Sequence, residues 1–195
     1  IIEPRKILNQ AIQSATEMSM MILRIDEVIS AADDFIAMVT VAPEIPGGLD
    51  LIKYLSKKNI ISAIGHTNAT YEQAIAGIKA GAKSTTHLFN AMSALSHRDP
   101  GAVGAILDSD EIFAELILDG IHIDEAIFRI ALKSKGIDRI NLITDATSLA
   151  GFPDGDYGSL PDRAVTKTGG KIVVSGTNTL AGSALDMNMV YKNAA

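Results

Sequence analysis

The chain has 195 residues, of which 47% are hydrophobic and 21% charged, and a formal net charge of −6. That is the composition of a globular domain or a large piece of one, and its acidity argues against wrapping nucleic acid or an anionic membrane surface. Cysteine is absent, which excludes disulfides and thiolate metal sites and fits a reducing compartment.

The longest apolar stretches, such as Ala102–Leu107, fall far short of the roughly 20 residues needed to cross a bilayer. No basic-then-apolar leader opens the chain. It starts at Ile1 rather than Met, so it is expected to be part of a longer protein, with the cytoplasm as its location.

Apolar residues at Ile7, Leu8, Ala11, Ile12, Ala15, Met18, Ile22, Ile25 and Ile29 keep a helical period and predict a helical segment over 1–33. Met18, Met20 and Met21 read as packing within it. From residue 34 the chain alternates. Phe35–Val41 is a predicted strand, and Leu49, Ile52 and Leu55 mark one face of a helix. Ile60–Ile64 is the next strand, running into Gly65-His66. Thr70 with Gln73 is a capping-box pattern for a helix ending near Gly81.

Lys83–Thr86 is a short strand before His87, and Phe113–Leu118 a strand before Asp119-Gly120-Ile121-His122. Asp124 caps a helix that stops at Gly136, and Arg139–Thr144 leads to Asp145. Repeated β-then-α gives a parallel sheet with helices packed outside. Beyond Gly151 a hairpin is expected between Ala164–Lys167 and Lys171–Val174 across Gly169-Gly170, an insertion near 160–176. A last helix is expected over Ser183–Tyr191.

His66, His87, His122 and Asp145 each follow the C-terminal end of an apolar strand. If those strands form a parallel barrel, their C-terminal ends share the face where such enzymes keep their active sites. Neutral imidazoles with a neighbouring carboxylate suit metal-assisted hydrolysis, Asp145 taking the proton from water and returning it to a leaving amine. The bland alternative for any one such histidine is a surface or hydrogen-bonding role. Arg98, in His97-Arg98-Asp99-Pro100-Gly101, reads as a solvated arginine or as a phosphate ligand whose guanidinium matches the anion. Gly101-Ala102-Val103-Gly104 follows no strand and lacks a third glycine, so it is a helix start, not a dinucleotide fingerprint.

Seven motifs then bring a family into view. Thr40-Val41-Ala42-Pro43-Glu44, Gly65-His66-Thr67-Asn68-Ala69, Thr86-His87-Leu88-Phe89-Asn90-Ala91-Met92, Arg98-Asp99-Pro100-Gly101, Asp119-Gly120-Ile121-His122, Thr144-Asp145-Ala146 and Thr179-Leu180-Ala181-Gly182-Ser183 stand in register over about residues 35–190. In order and spacing they resemble the N-acetylglucosamine-6-phosphate deacetylases. The resemblance implies an α/β fold, a (β/α)8 TIM barrel of the amidohydrolase type, incomplete in this chain and occupying 34–195.

It further implies His66 and His87 as ligands of a divalent metal, zinc or iron, and Asp145 as the catalytic acid/base. Asn90 and Ala91 would contact the sugar, His122 would bind substrate and polarise the acetamide carbonyl, and Arg98 would hold the 6-phosphate across a homodimer. Leu180, Ala181 and Gly182 would line the sugar pocket. The reaction would release acetate from the sugar phosphate. The family's third ligand, a glutamate in a His-Leu-Glu-Gly-Pro strand end, has no counterpart in this chain, and residues 1–33 do not match the segment that follows it. Glu44 is the nearest strand-end carboxylate, either a substitute ligand or a structural residue. The alternatives are a related amidohydrolase with another amide substrate, and a truncated barrel impaired by the missing glutamate.

Overall fold

The computed structural model describes residues 35–158 and 163–194, with Val28, Ile29 and Ala32. The helix expected over 1–33 lies outside the described residues but for those three. The chain divides into two compact units. The described residues up to Thr85, with Ala91–Ile112, form the first, and Thr86–Asn90 with the residues from Phe113 onward form the second.

In the first unit the parallel βα reading holds. Strands β1 (Met38–Val41), β2 (Ile61–Ile64) and β3 (Ser84–Thr85) form a parallel sheet in that order, Val41 opposite Ile64 and Ile64 opposite Thr85. Helix α1 (Gly48–Lys57) buries Leu51, Ile52 and Leu55, while Leu49, expected on the apolar face, is only half-buried. Each such side chain contributes about 1.5–3 kcal/mol on burial.

Helix α2 (Tyr71–Ala80) starts at a complete capping box. Thr70 Oγ1 accepts from Gln73 N at 3.3 Å, and Gln73 Oε1 accepts from Thr70 N at 2.9 Å. Thr70→Ala is expected to lower unfolding stability by about 1 kcal/mol, read as a shifted denaturant midpoint with unchanged slope; no shift would mean the cap is not limiting. Helix α3 (Gly101–Asp108) begins at a glycine that cannot be replaced cheaply. Gly101 has φ 60°, and a Cβ there would sit 2.7 Å from the carbonyl oxygens of both Ser93 and Ala94. The reading of this segment as a helix start with close packing is thus correct.

In the second unit β4 (Ala114–Ile117) and β5 (Ile140–Ile143) pair in parallel, Ile117 opposite Ile143. Helix α4 (Glu125–Lys135) is capped by Asp124, whose Oδ1 accepts from Ala126 N at 2.7 Å, and ends at Gly136 with φ 73°. A short 3-10 turn (Ile137–Arg139) then leads into β5. The expected hairpin is present as β7 (Val165–Thr168) and β8 (Lys171–Val174), antiparallel, with Gly169 and Gly170 both at positive φ as a two-residue turn requires.

That hairpin is the middle of a larger sheet. Strands β6 (Gly155–Tyr157) and β9 (Leu180–Ser183) flank it in the order β6-β7-β8-β9. The last helix therefore starts later than the sequence predicts and runs further, α5 spanning Met187–Ala194 rather than Ser183–Tyr191. Ser183 cannot start it. Its N–H donates to Asp145 O and its carbonyl accepts from Thr147 N, while Gly182 holds φ 79°. Helix α5 packs Val190 with Leu185 and Ile117, against Leu142 and Ile143. Buried Lys167 donates all three ammonium protons to carbonyls, Leu149 O at 2.8 Å, Ala150 O at 3.0 Å and Phe152 O at 2.6 Å, and so pins the turn between β5 and β6. Among the described residues no helix is long and apolar enough to cross a membrane.

Candidate active site

Three of the four strand-end polar residues share a backbone anomaly. His66 has φ 47°, His87 φ 36° and Asp145 φ 49°. Each comes two residues after the last residue of its strand, Ile64, Thr85 and Ile143. Left-handed backbone costs a residue with a Cβ about 1–2 kcal/mol, and such strain persists where the surroundings over-determine it, commonly at functional sites. Among the described residues the other non-glycine cases are Asn59, Phe89 and Ala91, and the last two belong to the His87 motif.

In the first unit the left-handed turn at His66 exposes its side chain and is locked from behind. Thr67 N donates to Ala91 O and Ser93 N to Thr67 O, both at 3.0 Å. Glu44 closes the lock. Its Oε2 accepts from Thr67 Oγ1 at 2.5 Å and its Oε1 from Asn68 N at 2.7 Å. Both carboxylate oxygens are thus engaged by the loop that carries His66, which favours the structural reading of Glu44 over a substitute ligand. Ser93 Oγ extends the network, donating to Ala69 O at 2.5 Å and accepting from Ala102 N at 2.8 Å. Ala91 is exposed, and Arg98 sits exposed in the Ser96–Asp99 turn closed by Ser96 N to Asp99 O.

In the second unit His87 is buried at 6% exposure. Its ring Nδ1 lies 3.2 Å from Asn90 O, while Asn90 N donates to His87 O at 3.0 Å. A carbonyl can only accept, so the ring proton belongs on Nδ1 and the lone pair on Nε2. That is the tautomer a metal-ligating histidine takes when its other nitrogen is held by a carbonyl. Leu88 N bonds Glu115 O of β4 at 2.8 Å and Asn90 Nδ2 reaches Leu88 O at 3.4 Å, so the His87–Asn90 turn is tied at several points.

Asp145 is exposed at the end of β5 and sits against β9. Ser183 Oγ donates to Thr144 O, and Ser183 N to Asp145 O at 2.9 Å. A Cβ on Gly182 would lie 3.1 Å from Asp145 O and 2.6 Å from Thr147 Cγ2. The structure therefore brings Gly182 directly beside Asp145. Leu180 and Ala181 lie on the same strand, both partly buried.

His122 has a partner that the sequence reading did not single out. Its Nδ1 donates to Asp119 Oδ2 at 2.7 Å, and the two side chains are only 5% and 7% exposed. Asp119 Oδ1 accepts from the N–H groups of Ile121 and His122, both at 2.8 Å. Burial pushes the Asp119 carboxyl up, but the hydrogen bonds from the His122 ring and the two N–H groups outweigh it and hold the carboxyl below its ordinary value. The Asp-x-x-His spacing was the available signal, since an aspartate readily bonds backbone N–H groups two and three residues on.

Among the described residues no set of three His, Asp or Glu side chains gathers into a group that could hold a metal ion. The Nδ1–H tautomer of His87 is one that a metal ligand can take.

No family model matches the chain. It is, however, 42% identical over 161 residues to N-acetylglucosamine-6-phosphate deacetylase of Lysinibacillus sphaericus, covering 81% of this chain and 40% of that protein. It is 37% identical over 172 residues to N-acetylgalactosamine-6-phosphate deacetylase of Escherichia coli O157:H7, covering 88% of this chain and 45% of that protein. Among solved structures it resembles a variant of N-acetyl-D-glucosamine-6-phosphate deacetylase from Mycobacterium smegmatis in complex with N-acetyl-D-glucosamine-6-phosphate. The TM-score is 0.85 at 39% identity, over 87% of this chain and 44% of that one. The resemblance read from the seven motifs is therefore borne out, and the chain spans somewhat under half the length of these relatives.

Proposed function

We propose that the protein hydrolyses N-acetylglucosamine 6-phosphate to glucosamine 6-phosphate and acetate. The observation that carries this reading is the shared left-handed backbone of His66, His87 and Asp145 just past their strands, in a chain similar to such deacetylases over most of its length. His66 and His87 would hold a zinc or iron ion, which when bound supplies the Lewis acidity that makes water ionise near neutral pH. Asp145 takes the proton from the attacking water and delivers it to the departing amine. His122 holds the acetamide oxygen, Asn90 and Ala91 the sugar, and Arg98 the 6-phosphate. Leu180, Ala181 and Gly182 wall the pocket beside Asp145.

The parallel βα segments are proposed to be part of an amidohydrolase-type (β/α)8 barrel completed by chain beyond these residues. A cytoplasmic homodimer in which Arg98 serves the neighbouring site belongs to the same reading. A second substrate is favoured by one finding: the similarity to an N-acetylgalactosamine-6-phosphate deacetylase makes the C4 epimer the natural competitor.

The test is acetate release from both epimers with added zinc or iron. Arg98→Ala is expected to raise KM for the phosphorylated sugar by about 10- to 100-fold, the worth of charge-assisted hydrogen bonds. KM for unphosphorylated N-acetylglucosamine should hardly change. Equal effects on both would remove Arg98 from the phosphate site. No acetate from either epimer would overturn the activity proposed for this chain.

A further inference from the structure

We propose that Asp119 is a positioning residue that fixes the proton of His122 on Nδ1 and presents Nε2 as the ring atom that meets the substrate. The proposal rests on the deacetylase reading for what His122 does, but the placement of the proton stands on geometry alone.

The carboxylate is used on both sides. Oδ1 takes the N–H groups of Ile121 and His122, and Oδ2 takes the ring Nδ1. The first pair of bonds prevents the carboxyl from turning, so Oδ2 is held against the ring. Nearly complete burial of both side chains keeps water from competing for Nδ1. An ionised carboxylate has only acceptors, so the Nδ1 position facing it must carry hydrogen. The other nitrogen is then a lone-pair acceptor in the neutral ring and a donor once the ring takes a second proton. Holding an acetamide oxygen through Nε2 requires that second proton, and Asp119 is the counter-charge beside it.

Asp119→Asn inverts this arrangement without changing shape. The carboxamide oxygen has to stay with the two backbone N–H donors, because an NH2 group facing them would place donor against donor. The NH2 group then faces Nδ1 and demands a lone pair there, which moves the ring proton to Nε2. The chain has four histidines, His66, His87, His97 and His122, so each 15N-imidazole signal can be assigned by single substitution.

The experiment reads the His122 ring nitrogens by 15N NMR over a pH series, at the alkaline plateau where their shifts no longer change, in the unchanged chain and in Asp119→Asn. The expected result is a proton on Nδ1 in the first and on Nε2 in the second. The neutral ring of the variant can still donate from Nε2 but lacks the carboxylate that balances an imidazolium, so kcat falls by about 10- to 100-fold, the worth of one charge-assisted hydrogen bond, while KM changes by less than about threefold. A proton on Nε2 alone in the unchanged chain, or on Nδ1 in the variant, overturns the proposal, and the first of these needs no variant to fold. A tautomer that moves as expected with kcat unchanged overturns the role in catalysis. If the unchanged chain releases no acetate, the deacetylase reading fails while the proton placement is still decided by the spectra.

Discussion

Asp145→Asn is expected to reduce acetate release at least about 1,000-fold while leaving the fold intact. The size follows from the two duties proposed for it, since one general acid or base contributes about 10²–10⁴ and the amide can perform neither. The choice of asparagine follows from the backbone. Asp145 holds φ 49°, and asparagine is among the few residues with a Cβ that tolerate the left-handed region. The backbone carbonyl that accepts from Ser183 N is untouched. The unfolding midpoint should therefore stay within about 0.5 kcal/mol of the unchanged chain. Alanine at the same position would mix loss of chemistry with backbone strain. Turnover retained in the asparagine variant would sink the acid/base assignment; a large loss of stability would sink the claim that this loop is held mainly by its backbone.

Gly182→Ala is the second large effect, and it acts on stability and activity together. Gly182 has φ 79°, and a Cβ there meets Thr147 Cγ2 at 2.6 Å and the Asp145 carbonyl oxygen at 3.1 Å. Strain of about 1–2 kcal/mol from the dihedral adds to about 1–3 kcal/mol of crowding, for an expected loss of about 2–4 kcal/mol by denaturant titration. Relief of the clash moves the Asp145 turn, so kcat should fall as well. Thr147→Ser separates the causes, because it deletes Cγ2 and keeps the hydroxyl that accepts from Leu149 N. Combined with Gly182→Ala it should return the crowding part and leave the dihedral part. A double variant no more stable than Gly182→Ala alone would show that Thr147 is not the obstacle.

How much of this was legible beforehand depended on the range of the signal. The Thr70–Gln73 box, the Asp124 cap with its stop at Gly136, and the Gly169-Gly170 turn were readable because each is decided within a few residues. Strand β9 was not, since Leu180–Ser183 is extended on account of Asp145 and Thr147 more than thirty residues earlier. Strand β6 escaped for another reason: Gly155-Asp156-Tyr157 carries no apolar alternation and is held by its partner β7. Nothing local in the sequence marks Lys167 as the buried clamp on three carbonyls that it is.

In the candidate site the residue types were visible but their conformations were not. Nothing local in Gly65-His66-Thr67 announces a left-handed histidine. It arises because Thr67 is fastened to Ala91, Ser93 and Glu44. Asp119 stands inside the motif Asp119-Gly120-Ile121-His122, but that its carboxylate turns back onto the His122 ring is visible only in the folded loop.

The left-handed turns at His66, His87 and Asp145 set a limit on improving this protein. At each of them glycine would relax the backbone by about 1 kcal/mol and remove the side chain to which the proposed chemistry belongs. On the proposed assignment the sturdiest version of the chain is not its working version, and selection for heat resistance alone would drift toward inert proteins. Gains in robustness have to be sought elsewhere, at positions whose backbone is already at ease.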